Sequence, residues 1–172
     1  MRTKLAILSL LLVFAMGIPC ALANKIGIVD VQKIMETSKM GMDYSSQLKT
    51  ETEKKTADLE ARQTSLNNLK QQLESQAKFL KDEVKEEKMR QLRIESGDFQ
   101  VLQKKYLDEL KQLEYTLTTG LHKAILDVVD EIAKKEQYTL IIERQEGGVM
   151  FNLDGMNITD QVIKEINARH KK

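Results

Sequence analysis

Few residues of the chain have types and spacings that could support chemistry. Two histidines, His122 and His170, and one cysteine, Cys20, show none of the repeated spacings of a metal site. The Gly147-Gly148 pair has no Lys-Ser/Thr pair after it, so it is typical of a tight turn and not of a phosphate loop. The many carboxylates are spread along a solvated helical segment, and none is marked out for acid–base work. The sequence therefore predicts no enzyme activity, no metal and no cofactor.

The first 23 residues have the organisation of a secretory signal peptide. Two basic residues precede an almost wholly apolar run over residues 5–18, and Ala21-Leu22-Ala23 is a small-x-small cleavage pattern. The run holds 14 residues, fewer than the roughly 20 that a membrane-spanning helix needs. We therefore expect cleavage after Ala23 and export. The alternative is a lipoprotein anchored at Cys20, although Pro19 and not a small residue precedes this cysteine.

The mature chain is nearly neutral and has no means of forming a disulfide. Its 149 residues contain no cysteine and no proline, and 25 basic and 26 acidic side chains give a net charge of −1. An exported chain of this kind must reach stability without disulfides. The balanced charge predicts no nucleic-acid partner.

Residues 42–135 have the composition of a long helical segment. They contain no proline and only two glycines, Gly97 and Gly120, and they are rich in good helix formers. Two ladders of apolar residues recur every seven positions, and the second is out of step with the first. The ladders are Leu59, Leu66, Leu73 and Leu80, then Leu92, Phe99, Tyr106 and Leu113. This pattern predicts two antiparallel helices that pack as a coiled-coil hairpin, the arm.

The step of 12 residues from Leu80 to Leu92 breaks the seven-residue repeat and places the tip of the hairpin at about residues 81–91. An alternative tip is Ser96-Gly97-Asp98, which has the composition of a turn. However, the second ladder passes through this tripeptide from Leu92 to Phe99. The earlier position is therefore favoured.

The two ends of the mature chain are predicted to form one small body from residues 24–41 and 136–172. Residues 26–31 and 138–143 are β-branched and apolar, so we expect two strands that pair across more than 100 residues. Residues 149–151 are predicted as a third strand. Both faces of the first strand are apolar, and this body is too small to cover them, which predicts oligomerisation.

The helices of the body carry recognisable start signals. Asp30 is placed to cap a short helix that begins at Val31, and Thr159 is placed to cap the last helix. Ile158 and Ile163 have the spacing of a hydrophobic staple around that second cap.

Four segments occur in an order that resembles the Skp/OmpH family of periplasmic chaperones: KIGIVDVQKIM, the long leucine-rich insert, LIIE and ITDQVIKEIN. The resemblance implies an α+β, predominantly α fold, in which a small β-rich body trimerises and each chain extends one helical hairpin. It implies a homotrimeric, ATP-independent holdase in the periplasm that keeps unfolded outer-membrane proteins soluble.

The resemblance also implies which residues build the trimer. Six positions match the family's strands and would form the body of the trimer: Ile26, Ile28, Val29, Leu140, Ile141 and Ile142. Family members are often basic at the arm tip, whereas residues 81–95 hold five basic and five acidic side chains. This departure argues against contact with lipopolysaccharide or an anionic membrane.

Aromatic and methionine side chains occur at intervals along the arm. The heptad positions of Phe99 and Tyr106 favour packing in the seam between the helices. Phe79 and Met89 near the tip, together with Tyr115, are candidates for adaptable contact with a client. The alternative function is a coiled-coil adaptor that binds one folded partner. Irregular, polar-interrupted seams favour the chaperone.

Overall fold

A computed structural model describes residues 24–76 and 78–170, so the predicted signal peptide and its cleavage site lie outside the described residues. The elements are β1 (Ile26–Val29), α1 (Val31–Thr37), α2 (Lys39–Gln76), α3 (Asp82–Glu136), β2 (Leu140–Glu143), a 3-10 helix (Asp154–Met156) and α4 (Thr159–Arg169). The predominantly α, α+β architecture is confirmed: a small body carries a long helical hairpin.

The predicted pairing of the chain's two ends is confirmed. β1 and β2 are parallel, with Ile26 opposite Leu140 and Val29 opposite Glu143. Parallel strands need a long crossover connection, and the whole arm serves as that connection here. Asp30 caps α1 as predicted, because its carboxylate accepts a 2.8 Å hydrogen bond from the backbone N–H of Lys33.

The prediction of a third strand at residues 149–151 is wrong for the single chain. The backbone N–H of Val149 donates to the carbonyl of Arg144 at 3.0 Å and closes a turn, so it does not extend the sheet. Gly148 adopts a left-handed φ of 63° within this turn. A third contact to β1 comes instead from Asn157, which forms an isolated parallel bridge with Ile28.

Thr159 does not act as the N-cap of the last helix. It is the first residue of α4, and the cap position is Ile158, whose side chain makes no hydrogen bond. The backbone N–H of Thr159 donates to the side-chain oxygen of Asn157 at 3.0 Å. The Thr159 hydroxyl instead accepts a 3.0 Å hydrogen bond from the backbone N–H of Asp30. The hydroxyl therefore ties the start of α4 to the end of β1. Ile158 is buried in the core, and Ile163 packs against it.

The hairpin reverses earlier than the predicted tip at residues 81–91. α2 ends at Gln76, the Gln76 carbonyl accepts from the N–H groups of Phe79 and Leu80, and α3 begins at Asp82. Residues 82–91 are helical, since they contain no helix breaker and two acidic residues favour the first turn. The alternative tip around Gly97 is also wrong, because this glycine lies within α3.

The two arm helices have unequal lengths. α2 has 38 residues and α3 has 55, which correspond to about 57 Å and 82 Å. The extra length of α3 enters the body, so the core includes part of a helix that the sequence assigned to the arm up to residue 135. The core cluster comprises Val29, Ile34, Leu121, Ile125, Val128, Ile132, Ile158, Val162 and Ile166. Packing against these residues anchors the root of the arm.

Candidate functional site

The arm is thin and buries little of its own surface. Leu66 and Leu73 of α2 are buried against α3, whereas most ladder residues of α3, including Phe99 and Leu113, are only half-buried. A two-helix unit with few buried contacts is held weakly towards its tip. The arm therefore combines a long reach with low local stability.

A polar cluster joins the two helices midway along the arm. The Tyr106 hydroxyl of α3 donates a 2.8 Å hydrogen bond to the Asp58 carboxylate of α2. The Lys55 ammonium pairs with Glu109 and lies 4.4 Å from the centroid of the Tyr106 ring. Tyr106 therefore lies in the seam, and its hydroxyl as well as its ring contacts α2.

The pKa shifts in this cluster are those of ion pairing. Hydrogen bonds from Tyr106 and then Arg62 lower the pKa of Asp58, and the hydrogen bond from Lys55 lowers the pKa of Glu109. The hydrogen bond to Glu109 raises the pKa of Lys55, and the hydrogen bond to Asp58 raises the pKa of Tyr106. A general acid or base needs a pKa moved towards neutrality, and these four move away from it. The cluster holds the helices together and is not arranged for acid–base chemistry.

The three predicted client-contact residues are exposed but lie far apart. Phe79 is 89% exposed in the turn at the tip, Met89 lies in the first third of α3, and Tyr115 lies closer to the body. The 26 residues between Met89 and Tyr115 correspond to about 39 Å along the helix. The structure therefore does not bring them together into one site.

The six predicted residues of the trimer body differ in exposure. Ile28 and Val29 are 3% and 4% exposed in the single chain, and Leu140 is half exposed. The other three, Ile26, Ile141 and Ile142, are half-buried. The premise that one chain cannot cover both faces of the first strand is wrong at Ile28 and Val29, since the segment that precedes α4 and the core helices cover them.

A different part of the body exposes apolar surface, which we name the exposed segment (residues 149–153). Met150 is 98% exposed, Phe151 is 81% exposed, and Leu153 is also exposed. Sequence reasoning missed this surface because it placed residues 149–151 in a strand. The sequence feature that could have revealed this surface is a run of three apolar residues directly after a Gly-Gly turn.

An open groove of about 630 Å³ lies at the root of the arm, between α1, α2 and α3. Its apolar wall includes Met35, Met42, Tyr44 and Leu48, and Lys49 and Glu114 lie at its polar side. Met42 is half exposed. The groove is wide enough to receive side chains of another polypeptide.

Comparison with known proteins identifies the family. The family model described as outer membrane protein (OmpH-like) matches residues 25–166. The chain belongs to the OmpH-like family. This result confirms the resemblance that was read from the two terminal motifs and the helical insert.

Two relatives of this OmpH-like chain are informative. A crystal structure assigned as an outer membrane chaperone (OmpH-like) from Caulobacter crescentus CB15 superposes with a TM-score of 0.80 at 18% identity and covers 91% of each chain. Outer membrane p25 of Pasteurella multocida (strain Pm70) is 36% identical over 67 residues. That match covers 39% of this chain and 34% of the relative's length. The first relative shows a shared fold, and the second shows local sequence similarity.

The described residues of this OmpH-like chain offer no cluster of His, Cys, Asp and Glu that could hold a metal ion. His170 pairs with Asp43 at 2.7 Å, and His122 is exposed on α3. Within the same residues, no helix combines the length and apolar character required to cross a membrane.

Proposed function

We propose that this protein is an ATP-independent holdase chaperone of the periplasm, which binds unfolded outer-membrane proteins and keeps them soluble. The observation that carries the proposal is the distribution of apolar side chains on the arm. Among the described residues of the arm, nine large apolar side chains are exposed and dispersed between charges: Met42, Phe79, Val84, Met89, Ile94, Val101, Leu107, Tyr115 and Leu126. Dispersed apolar contacts suit a partner without a fixed shape, as an unfolded chain is.

Balanced charge along the arm supports many weak contacts over one strong site. Residues 42–135 hold 17 basic and 18 acidic side chains, so no long-range field selects one partner. Linked weak contacts can raise apparent affinity by about 10² to 10⁴ without any strong site. Single substitutions such as Phe79→Ala or Met89→Ala should therefore weaken holding only slightly.

The functional unit is a homotrimer that assembles through the body. Met150 and Phe151 of the exposed segment provide apolar surface that a single chain leaves uncovered. In the part of the chain that the structure describes, β2 pairs with β1 along one edge, so its other edge is open beside the exposed Leu140. The exposed segment of one copy docks beside β2 of the next. Because the two surfaces differ, the contact is head-to-tail. In a closed ring of three copies, every exposed segment is paired with a β2 edge.

The site of action is the periplasm. Residues 1–23 have the pattern of a cleaved secretory signal. The crystallised relative is assigned as an outer membrane chaperone, and a local relative is named outer membrane p25. Export of an unfolded outer-membrane protein and of its holdase to the same compartment would let them meet before the client reaches the membrane.

A second candidate function is an adaptor that binds one folded partner. The groove at the arm root favours it, since Met35, Tyr44 and Leu48 form one continuous apolar wall there. An adaptor would bind its partner through this groove and ignore unfolded chains.

The test dilutes a urea-denatured β-barrel outer-membrane protein into buffer that contains residues 24–172 as purified protein. We expect the protein to suppress light scattering at a ratio near three chains to one client, with or without ATP. The matched control is Met35→Ser and Leu48→Ser together, which alters the groove, spares Tyr44 that packs against the core and leaves the exposed apolar residues of the arm intact. Aggregation that continues at every ratio would contradict the holdase. Loss of all activity in a groove variant that keeps its helical content would place client binding in the groove and not on the exposed residues of the arm.

A further inference from the structure

The face of α3 that points away from α2 carries a row of exposed apolar side chains. Four residues form this row, which we name the back-face row: Ile94, Val101, Tyr115 and Leu126, each between 55% and 70% exposed. Their spacings of 7, 14 and 11 residues are all close to whole numbers of helical turns. The four side chains therefore lie along one line that is about 48 Å long.

The hairpin does not account for this row. Ile94 and Val101 each precede a seam residue, Phe99 and Tyr106, by five positions, which is about 140° around the helix. Tyr115 lies two positions from both Leu113 and Leu117, or about 200° from the seam. The row is thus on the opposite side of α3 from the helix with which it pairs.

The spacing of the row also argues against a second helix as its partner. A coiled-coil partner requires apolar residues at two positions of every heptad. The back-face row supplies one position at most, and the place between Val101 and Tyr115 is taken by Asp108. A helix docked along the row would bury this carboxylate, which is unfavourable without a partner. The total apolar area of four separated side chains is also far below what a stable dimer buries.

An extended, unfolded polypeptide fits the row without these penalties. Its residues advance by about 3.3–3.6 Å, so steps of about 10, 21 and 16 Å along the row correspond to about three, six and five residues. Successive side chains of an extended chain alternate between its two faces, and an unfolded chain has the backbone freedom to twist between contacts and turn the odd-numbered ones towards the row. The polypeptide can shift to place apolar side chains at the row and polar ones near Lys104, Lys105 and Asp108, which line a shallow groove with Val101. Given the proposed holdase function, on which this step rests, we propose that the back-face row is the surface along which the arm binds the apolar and aromatic side chains of an unfolded client.

The test compares two triple variants of the full mature protein. The row variant is I94S/V101S/Y115S, which leaves Leu126 in place beside the body core. The comparison variant is V84S/M89S/L107S, three exposed apolar residues of the same helix that also belong to the dispersed client-binding surface of the arm but lie off the row. Clients are a urea-denatured β-barrel outer-membrane protein and a reduced, alkylated soluble protein. Circular dichroism and sedimentation verify that both variants remain helical and keep the oligomeric state of the wild type.

We expect the row variant to weaken the apparent Kd for both clients about tenfold and the comparison variant about twofold, since linked contacts multiply. Photo-crosslinking from position 101 should capture client more efficiently than from position 107 in an otherwise wild-type chain. Equal losses in the two variants, or equal crosslinking, would show that the row is not a preferred client-binding surface. The proposed holdase function would still stand. A change of oligomeric state in the row variant would identify a contact between copies and overturn the proposal for the row as well. A wild type that holds neither client would refute both the row and the holdase.

Discussion

The Tyr106 hydroxyl donates to the Asp58 carboxylate across the arm, over a distance of 2.8 Å and a separation of 48 residues. Arg62 and Lys55 add charge partners around this pair. Among the described residues outside the body, side-chain hydrogen bonds connect α2 to α3 in this cluster. It divides the arm into a root, which the core anchors, and an outer half that relies on a few apolar contacts.

Tyr106→Phe should loosen the outer half of the arm. The substitution keeps the ring in the seam and removes the hydrogen bond to Asp58, so amide hydrogens between Asp58 and Phe99 should exchange faster. Hydrogen-exchange mass spectrometry measures this change. Tyr115→Phe is the matched control, because the Tyr115 side chain is exposed on the opposite face. Equal exchange in both variants would show that the bond does not hold the arm together.

The arm should lose order in acid. The pKa of Asp58 lies below its ordinary value of 3.8 because Tyr106 and Arg62 favour the ionised form. When folding lowers the pKa of a carboxyl group, the ionised group stabilises the folded state at pH values above its ordinary pKa. This contribution disappears as the pH falls through the lowered pKa. Asp58→Asn should therefore lower the melting temperature at pH 7 and have less effect near pH 2.5. An effect of equal size at both pH values would contradict the pairing.

Two glycines should respond in opposite directions to alanine. A Cβ at Gly97 would meet no atom within 4 Å, so Gly97→Ala should stabilise the helix by about 1 kcal/mol. A Cβ at Gly41 would lie 2.0 Å from the carbonyl oxygen of Met35, so Gly41→Ala should destabilise the junction of α1 and α2. Urea unfolding measures both changes. A destabilising Gly97→Ala would mean that α3 is not continuous there.

The exposed segment should control assembly without controlling the fold of the chain. Met150→Ser together with Phe151→Ser should yield helical monomers in sedimentation experiments, because the two residues are 98% and 81% exposed in the single chain. Ile28→Asp should instead unfold the protein, since Ile28 is 3% exposed and a buried carboxylate is unfavourable by several kcal/mol. A serine variant that stays trimeric would place the interface elsewhere.

Local signals in the sequence predicted local features well. The Asp30 cap, the β-branched strands and the leucine ladders each depend on residues close to one another, and the structure contains all three. The position of the turn was harder, because residues 82–91 have no helix breaker and tertiary packing alone decides where the ladder stops. Ladders also indicate where helices meet, and they do not reveal apolar residues on the opposite face.

Other features could not be predicted because distant residues decide them. Thr159 has the local pattern of an N-cap, yet its hydroxyl bonds to Asp30, 129 residues away. Residues 149–151 have the composition of a strand, but a strand needs an edge to pair with, and the turn leads them into solvent. Ile28 is apolar on a two-faced strand, and the segment around Asn157 that covers it was not recognisable.

Native mass spectrometry of the mature protein mixed with a urea-denatured β-barrel outer-membrane protein shows directly whether a trimer holds an unfolded client. We expect one dominant complex of three chains and one client, which disappears for the Met150→Ser, Phe151→Ser variant. Free protein beside aggregated client, or a stable complex with a folded partner and none with the denatured barrel, would contradict this expectation.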